Sequence, residues 1–402
     1  MSSHQRWLVF LTATTVVFDG IDNQLLGVVI PTVIGEWQVA KSAFAPVVSL
    51  GYLGMMVGGA LAGMAGDRLG RKQALLGCVA VFGLMTLSIS AVHDIKTLAA
   101  LRFLAGIGLG GALPNAATLA AEFVEPAKRP MAVTATIVCV PLGGMLAGIL
   151  GSHFLDGLGW RALFVVAGVA PLVAVAALTR LLPESPEYLG RSSGRTTPRA
   201  PLSSLFVAGL RRDTIALWFS FCSCLLAVYL GFSWLPTVLA SAGFDPGVAS
   251  SGITAFNLGG VVGALASGAV MSRVGSRAAM LTMNVGAIAG ALTLSLMTIS
   301  IDTPLTGVMI MLTITGGLIN AIQTTMYALA TNVYPSAMRA SGVGAATAVG
   351  RTGAIISGYA GPWSLALRGS ASYFALIAGA MVVCLLALAA VRRHVPRSVG
   401  RA

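Results

Sequence analysis

The 402 residues are 56% hydrophobic and only 9% charged, with 25 Lys and Arg against 13 Asp and Glu and a net charge of +12. An ordinary soluble domain is about 25% charged, so this composition excludes a water-soluble globule and points to a chain dissolved in lipid. The basic residues are scattered over short connections and tails without interleaved aromatics, which excludes a nucleic-acid-binding surface.

Apolar stretches of the 20 or so residues that cross a bilayer recur at 7–30, 43–65, 73–92, 97–121, 130–152, 161–182, 214–239, 248–271, 278–300, 304–328, 338–361 and 370–391. In lipid every backbone N–H and C=O must be satisfied internally, which leaves helices or closed barrels. Continuous rather than alternating apolarity excludes a barrel. The predicted fold is therefore an all-α membrane protein of twelve transmembrane helices: an N-terminal bundle at 1–182, a cytoplasmic linker at 183–213 and a C-terminal bundle at 214–402. With the N-terminus inside, Lys41, Lys96, Arg161 and Arg368 fall outside, Arg102 and Arg351 fall within helices, and all other basic residues fall inside. That asymmetry predicts both termini cytoplasmic.

Taken in chain order, the first stretch carries Asp19 and Asp22. A charge at mid-membrane costs roughly 3 kcal/mol on insertion scales, so each acid needs a function or a partner. At i, i+3 they lie about 60° apart on one helix face. Asp67, Arg68, Arg71 and Lys72 follow at the junction of the second and third stretches. Arg102 lies about 8 Å below the outer start of the fourth stretch, and Asp22 about 12 Å below the outer end of the first, at 1.5 Å per residue. Similar depth predicts an intramembrane ion pair that protonation would break. Snorkelling of Arg102 to the outer surface is the competing reading. Further along the fourth stretch are Gly106 and Gly110, a small-residue packing surface, then Asn115, and Glu122 at the inner end.

Between the halves, Pro183 to Asp213 is the longest polar stretch and holds Arg191, Arg195, Arg199, Arg211 and Arg212. In the second half Tyr229 and Asn257 are isolated polar side chains, while Asn320, Gln323 and Tyr327 form a stripe at i, i+3, i+7. Arg351 is thirteen residues into the eleventh stretch, about 20 Å from its inner end and too deep to snorkel. Cys78, Cys139, Cys222, Cys224 and Cys384 all lie in apolar stretches, where a disulfide or metal site is not expected. The four histidines lie near helix ends or in loops and no nucleophile constellation appears, so an enzyme is not expected.

The halves echo each other. A shift of 205 residues lays Gly54, Gly58, Gly63, Arg68 and Gly70 on Gly259, Gly263, Gly268, Arg273 and Gly275. Parallel repeats of this kind place a substrate route between halves that rock.

The stretch GMAGDRLGRK at 63–72 resembles the loop signature of the major facilitator superfamily, and RFLAGIG at 102–108 its fourth-helix motif. DGID at 19–22, RFLAGIGLGGALPN at 102–115 followed by Glu122, and LPESPEYL at 182–189 resemble the aromatic acid:proton symporter family. The segment MYALATNVYPSAMRASGVGAATAVGRTGAI at 326–355 is similar to the subgroup that takes up 3-(3-hydroxyphenyl)propionate. The resemblance implies two six-helix halves and proton-coupled uptake of a small aromatic carboxylate across a bacterial-type inner membrane. It implies protons as coupling ion, no other cofactor, and a monomer with membrane lipid around it. Asp19, Asp22, Arg102 and Glu122 are then the expected proton-coupling residues, with Glu122 alternatively joining the cytoplasmic charge cluster. Arg351 is the expected carboxylate anchor, because its planar fork matches a carboxylate, with pairing to a transmembrane acid as the competing role. Asn115, Tyr229, Asn257, Gln323 and Tyr327 are expected to line the substrate cavity, or to act as interhelical glue. Asp67, Arg68, Arg71, Lys72 and Arg339 are expected to form a conformational latch. Two other readings are efflux by proton exchange and a membrane sensor that does not transport. Helix 5 has VPLGG at 140–144 but lacks the fuller Gly-Pro spacing that resembles antiporters, and no signalling domain is present.

Overall fold

The computed structural model describes residues 2–190, 202–207, 209–335 and 338–396; Arg191, Arg195 and Arg199 of the expected linker lie outside them. Helices are the only regular elements among the described residues. They are α1 Ser3–Trp37, α2 Ala45–Leu69, α3 Arg71–Ile89, α4 Ile95–Glu122, α5 129–158 and α6 160–181. After the linker come α7 Arg211–Ser241, α8 Pro246–Val274, α9 Ser276–Leu296, α10 Leu305–Val333, α11 Arg339–Arg368 and α12 Ser370–Ala390. α5 and α6 form one helical run, Arg129–Leu181, broken only at Gly159 (φ 74°, ψ 164°). With that break, the twelve long helices among the described residues coincide with the twelve apolar stretches.

Several helices, α1, α4, α7 and α8 among them, outrun their apolar stretches at both ends because helical hydrogen bonding continues into the polar interface, where caps take over the orphan end groups. Ser2 and Gln5 form a capping box at the start of α1, with Gln5 N donating to Ser2 Oγ at 3.2 Å and Ser2 N to Gln5 Oε1 at 3.0 Å. Asp94 caps α4 by accepting from Lys96 N and Thr97 N, both at 2.9 Å. Those bonds, Thr97 first, hold the exposed Asp94 carboxyl below its ordinary value. The expected linker is partly structured. It has a helical turn at Pro186–Leu189 and a 3-10 turn at Leu202–Phe206, and Asp213 belongs to the first turn of α7, where an acid suits the helix dipole.

The chain divides into two compact units. The first comprises Met1–Arg195 with Leu235–Ala240 and Phe244–Thr254, the second Thr196–Trp234, Ser241–Gly243 and Ala255–Ala402. In the first, glycines let helix backbones meet. Gly20 abuts the Val140 carbonyl and Gly143 the Val17 carbonyl in the α1–α5 seam; in the α2–α4 seam Gly54 abuts Phe103, Gly58 abuts Ile107, Gly106 abuts Gly51 and Gly110 abuts Met55. In lipid no hydrophobic force joins helices, so close van der Waals contact at small residues supplies the association. At the far end of α1, Glu36 accepts from Trp160 Nε1 at 2.6 Å and pairs with Arg161 at 2.7 Å, fastening α1 to α6.

The second unit repeats this scheme. Gly259 abuts the Thr313 carbonyl and Gly263 that of Gly317 in the α8–α10 seam, and Gly353 abuts Cys222 in the α7–α11 seam. Gly259 and Gly263 are the 205-residue counterparts of Gly54 and Gly58, so the sequence repeat is also a packing repeat. Gly70 (φ 101°) and its counterpart Gly275 (φ 84°) start α3 and α9 from a backbone conformation that strains any other residue. All five cysteines are free.

Candidate functional site

Inside the first unit, α1, α3 and α4 converge on Asp22, which is fully buried. Thr86 Oγ1 on α3 donates to Asp22 Oδ1 at 2.6 Å. Arg102 Nη1 on α4 lies 3.4 Å from Oδ1 and 3.5 Å from Oδ2, and both terminal nitrogens reach the Asp22 carbonyl at 3.4 Å. Arg102 is itself buried, with Gly51 of α2 beside it, and its Nε has no hydrogen-bond partner. The guanidinium therefore points inward to α1 rather than snorkelling. Asp19, one turn away and also buried, lies within electrostatic range of Cys78 on α3.

A loose, buried pair of this kind can switch. Removing one charge from a buried pair strands the other at a cost of roughly 3–5 kcal/mol, so protonating Asp22 would press Arg102 to find another anion or another conformation. Thr86 is the participant that sequence reasoning missed: one threonine in an apolar stretch carries no spacing signal.

At the end of this unit where α2 meets α3, the expected latch residues come together with the LPESPEYL segment. Asp67 pairs with Arg71 at 2.6 Å. Lys72 N donates to Glu184 Oε1 at 2.9 Å, and Lys72 Nζ to the Thr179 carbonyl at 2.8 Å. Glu184 thus supplies a carboxylate to the N-terminus of α3, where the helix dipole and free N–H groups favour one. Tyr188 donates its hydroxyl to the Arg68 carbonyl at 3.0 Å, while the Arg68 side chain is exposed. Arg129 pairs with Glu187 at 2.7 Å. Ser185 Oγ donates to Glu122 Oε2, which places Glu122 in this cluster. The Asn115 amide bonds the carbonyls of Gly111 (2.9 Å) and Ala62 (3.4 Å) across the α2–α4 seam. Glu184, Ser185, Glu187 and Tyr188 lay in a motif whose likeness was visible but whose individual contacts were not.

In the second unit Arg351 is half-buried and, among the described residues, has neither an ion pair nor a hydrogen bond. Its charge reaches Tyr327 on α10, and Tyr327 is also within range of Tyr229 on α7. Tyr327 stacks edge-on against Phe221 with ring centroids 5.4 Å apart, and Tyr229 against Phe232 at 5.6 Å. Asn257 is buried on α8, Gln323 half-buried on α10, and Asn320 bonds its own helix at Gly316 (2.9 Å). Arg339 is exposed at the start of α11. A guanidinium within electrostatic range of a phenol, with Phe221 edge-on to Tyr327 and Phe232 edge-on to Tyr229, is chemistry that can hold a planar anion.

Comparison with known proteins agrees with this architecture. The family profile described as Major Facilitator Superfamily matches residues 12–358. The chain is 36% identical to the 3-(3-hydroxy-phenyl)propionate transporter of Escherichia coli strain K12, over 87% of this chain and 83% of that one. It is 32% identical to the gallate transporter of Pseudomonas putida, over 90% and 86%. The crystal structure of a D-xylose-proton symporter superposes with a TM-score of 0.73 over 98% of both chains at 16% identity, a likeness of fold. The chain belongs to the major facilitator superfamily.

Proposed function

We propose that the protein imports a small aromatic carboxylate together with protons, by alternating access, and that it lies in a bacterial-type inner membrane with both termini in the cytoplasm. The observation that carries the coupling is the buried Asp22–Arg102 pair, 3.4 Å apart with Thr86 as a third partner. The names of the relatives support the substrate class, since they move hydroxyphenylpropionate and gallate. Importing an anion against a negative-inside potential costs about 2.3 kcal/mol per charge per 100 mV, and one accompanying proton removes that cost.

In this reading Asp22 is the proton site, Asp19 its neighbour on the same face and Arg102 the counter-ion. Arg351 holds the substrate carboxylate, with Tyr229 and Tyr327 against the ring and Asn257 and Gln323 offering polar contacts. Asp67, Arg71, Lys72, Glu122 and Glu184 time the conformational change. Protons are the coupling ion, with no further cofactor.

The test is uptake of labelled 3-(3-hydroxyphenyl)propionate and gallate into proteoliposomes with and without an inward proton gradient. Gradient-driven accumulation is expected in the wild type and its loss in Asp22→Asn, with substrate exchange retained. Accumulation by the wild type that ignores the gradient would overturn the proposal.

A further inference from the structure

Membrane threonines in this protein mostly satisfy their hydroxyl on their own helix: Thr12 bonds Leu8, Thr14 bonds Phe10, Thr136 bonds Ala132 and Thr325 bonds Ala321, each a carbonyl four residues back. That local bond requires no partner helix. Thr86 departs from the pattern. The Phe82 carbonyl lies four residues back on α3, yet the hydroxyl reaches across to Asp22 Oδ1 on α1 at 2.6 Å. Thr86 is fully buried, and its bond is far shorter than any that Arg102 makes to the same carboxylate, 3.4 and 3.5 Å. The arginine supplies charge at a distance while the threonine supplies the close contact.

A hydroxyl differs from a guanidinium in a way that matters for a proton site. It carries one donor and two acceptor lone pairs and rotates freely, whereas Arg only donates. While Asp22 is charged, Thr86 donates to it. Once Asp22 holds a proton, Thr86 can accept that proton's hydrogen bond and turn its own O–H to the Phe82 carbonyl. The carboxyl then keeps a partner in both states, and Arg102 is free to leave without Asp22 losing its position.

We infer that Thr86 is the positioning residue of the proton site: it fixes the Asp22 carboxyl through both protonation states and sets the pH at which the carrier loads. The inference rests on the reading of Asp22 as the proton site. Replacing Thr86 by Val keeps the volume and deletes the hydroxyl, so the charged carboxylate loses its closest donor.

The experiment measures initial uptake rates from pH 5 to 9 in proteoliposomes for wild type, Thr86→Val, Thr86→Ser and Asp22→Asn, with substrate exchange at equal pH as a second readout. For Thr86→Val the alkaline limb of the pH profile is expected to move upward by about one pH unit, a tenfold change in proton concentration, as loss of a charge-assisted hydrogen bond dictates. Thr86→Ser, which keeps the hydroxyl, is expected to overlay the wild type. A purely structural role predicts lower rates at every pH with an unmoved profile, and that result would overturn the inference. If Thr86→Val does not reconstitute, Thr86→Ala carries the same expectation and the same risk. Loss of gradient-driven accumulation in Asp22→Asn beside a wild-type profile in Thr86→Val sinks the Thr86 inference alone. Gradient-driven accumulation retained in Asp22→Asn sinks the reading of Asp22 and Thr86's role with it.

Discussion

The two units share one packing scheme and carry opposite chemistry. In the first, the membrane-embedded charges are buried together: Asp22 has Arg102 and Thr86, and Asp19 lies one turn away. In the second, Arg351 is half-buried within electrostatic range of Tyr327 and has, among the described residues, no counter-ion. A duplicated scaffold tolerates this divergence because its helices associate through glycine-to-backbone contacts, which leave the remaining faces free to vary. On the proposed reading, the half whose buried arginine faces carboxylates serves the proton, and the half whose arginine has no counter-ion among the described residues serves the anion.

The sharpest way to break that comparison is to remove the excess charge. Arg351→Ala is expected to raise the KM for the aromatic acid by about 10- to 100-fold, the value of a hydrogen bond to a charged group. Arg351→Lys, which keeps the charge but loses the planar fork, should fall between the two. The check is the concentration dependence of uptake at fixed proton gradient. A KM left unchanged in both variants would mean that Arg351 serves another charge and that the division of labour is wrong.

The shared scaffold can be attacked next, at equivalent points. A Cβ at Gly58 would enter the Ile107 carbonyl, and at its counterpart Gly263 the Gly317 carbonyl, whereas Gly63 and Gly268 face open space. Gly58→Val and Gly263→Val are each expected to cost roughly 1–3 kcal/mol by overpacking. Gly63→Ala and Gly268→Ala should be near neutral, so thermal unfolding in detergent separates the pairs. Equal destabilisation at all four positions would show that the seam geometry is not what the glycines serve.

Much of this was legible in the sequence, and the reasons differ by feature. Helix count and the repeat follow from apolar length and glycine spacing, because lipid permits few alternatives. Depth arithmetic put Asp22 and Arg102 at one level, and the structure has them 3.4 Å apart, since rise per residue is fixed in a helix. What stayed hidden depends on rotation and on contacts between distant segments. Nothing in the spacing said that Thr86 would turn to α1. The lodging of Glu184 at the start of α3 joins residues more than a hundred positions apart. Positions 153–160 lie between two apolar stretches, yet the break between α5 and α6 is a single glycine, because one residue at positive φ suffices to redirect a helix.

The smallest expected effect concerns how each unit fastens the repeated loop that starts α3 or α9. In the first unit Glu184 takes Lys72 N; in the second the chain beyond α12 does the work, with Ser276 N donating to the Val395 carbonyl at 2.9 Å and Val395 N to Ser276 Oγ at 2.8 Å. His394 completes the second clasp, its Nδ1 3.1 Å from Ser276 Oγ and its Nε2 3.3 Å from the Leu388 carbonyl. A neutral ring protonated on Nε2 satisfies all of these, because Ser276 can then donate to Nδ1 while accepting from Val395. Burial, helped by the charge of Arg277 and opposed by the Leu388 carbonyl and Asp213, holds the imidazole below its ordinary value of 6.5. The undocked segment therefore binds a proton more readily than the docked one, so docking is favoured fully above about pH 6.5 and weakens as pH falls through that value. Hydrogen exchange at the Ser276 and Val395 amides should accelerate a few-fold, of the order of a partly exposed histidine's linkage, between pH 7.5 and 5.5 after correction for intrinsic rates. His394→Asn should flatten that dependence, and exchange at Lys72 N, in a clasp built on a carboxylate, provides the comparison within the same molecule. Parallel acceleration at Lys72 would assign the effect to the whole protein rather than to the histidine.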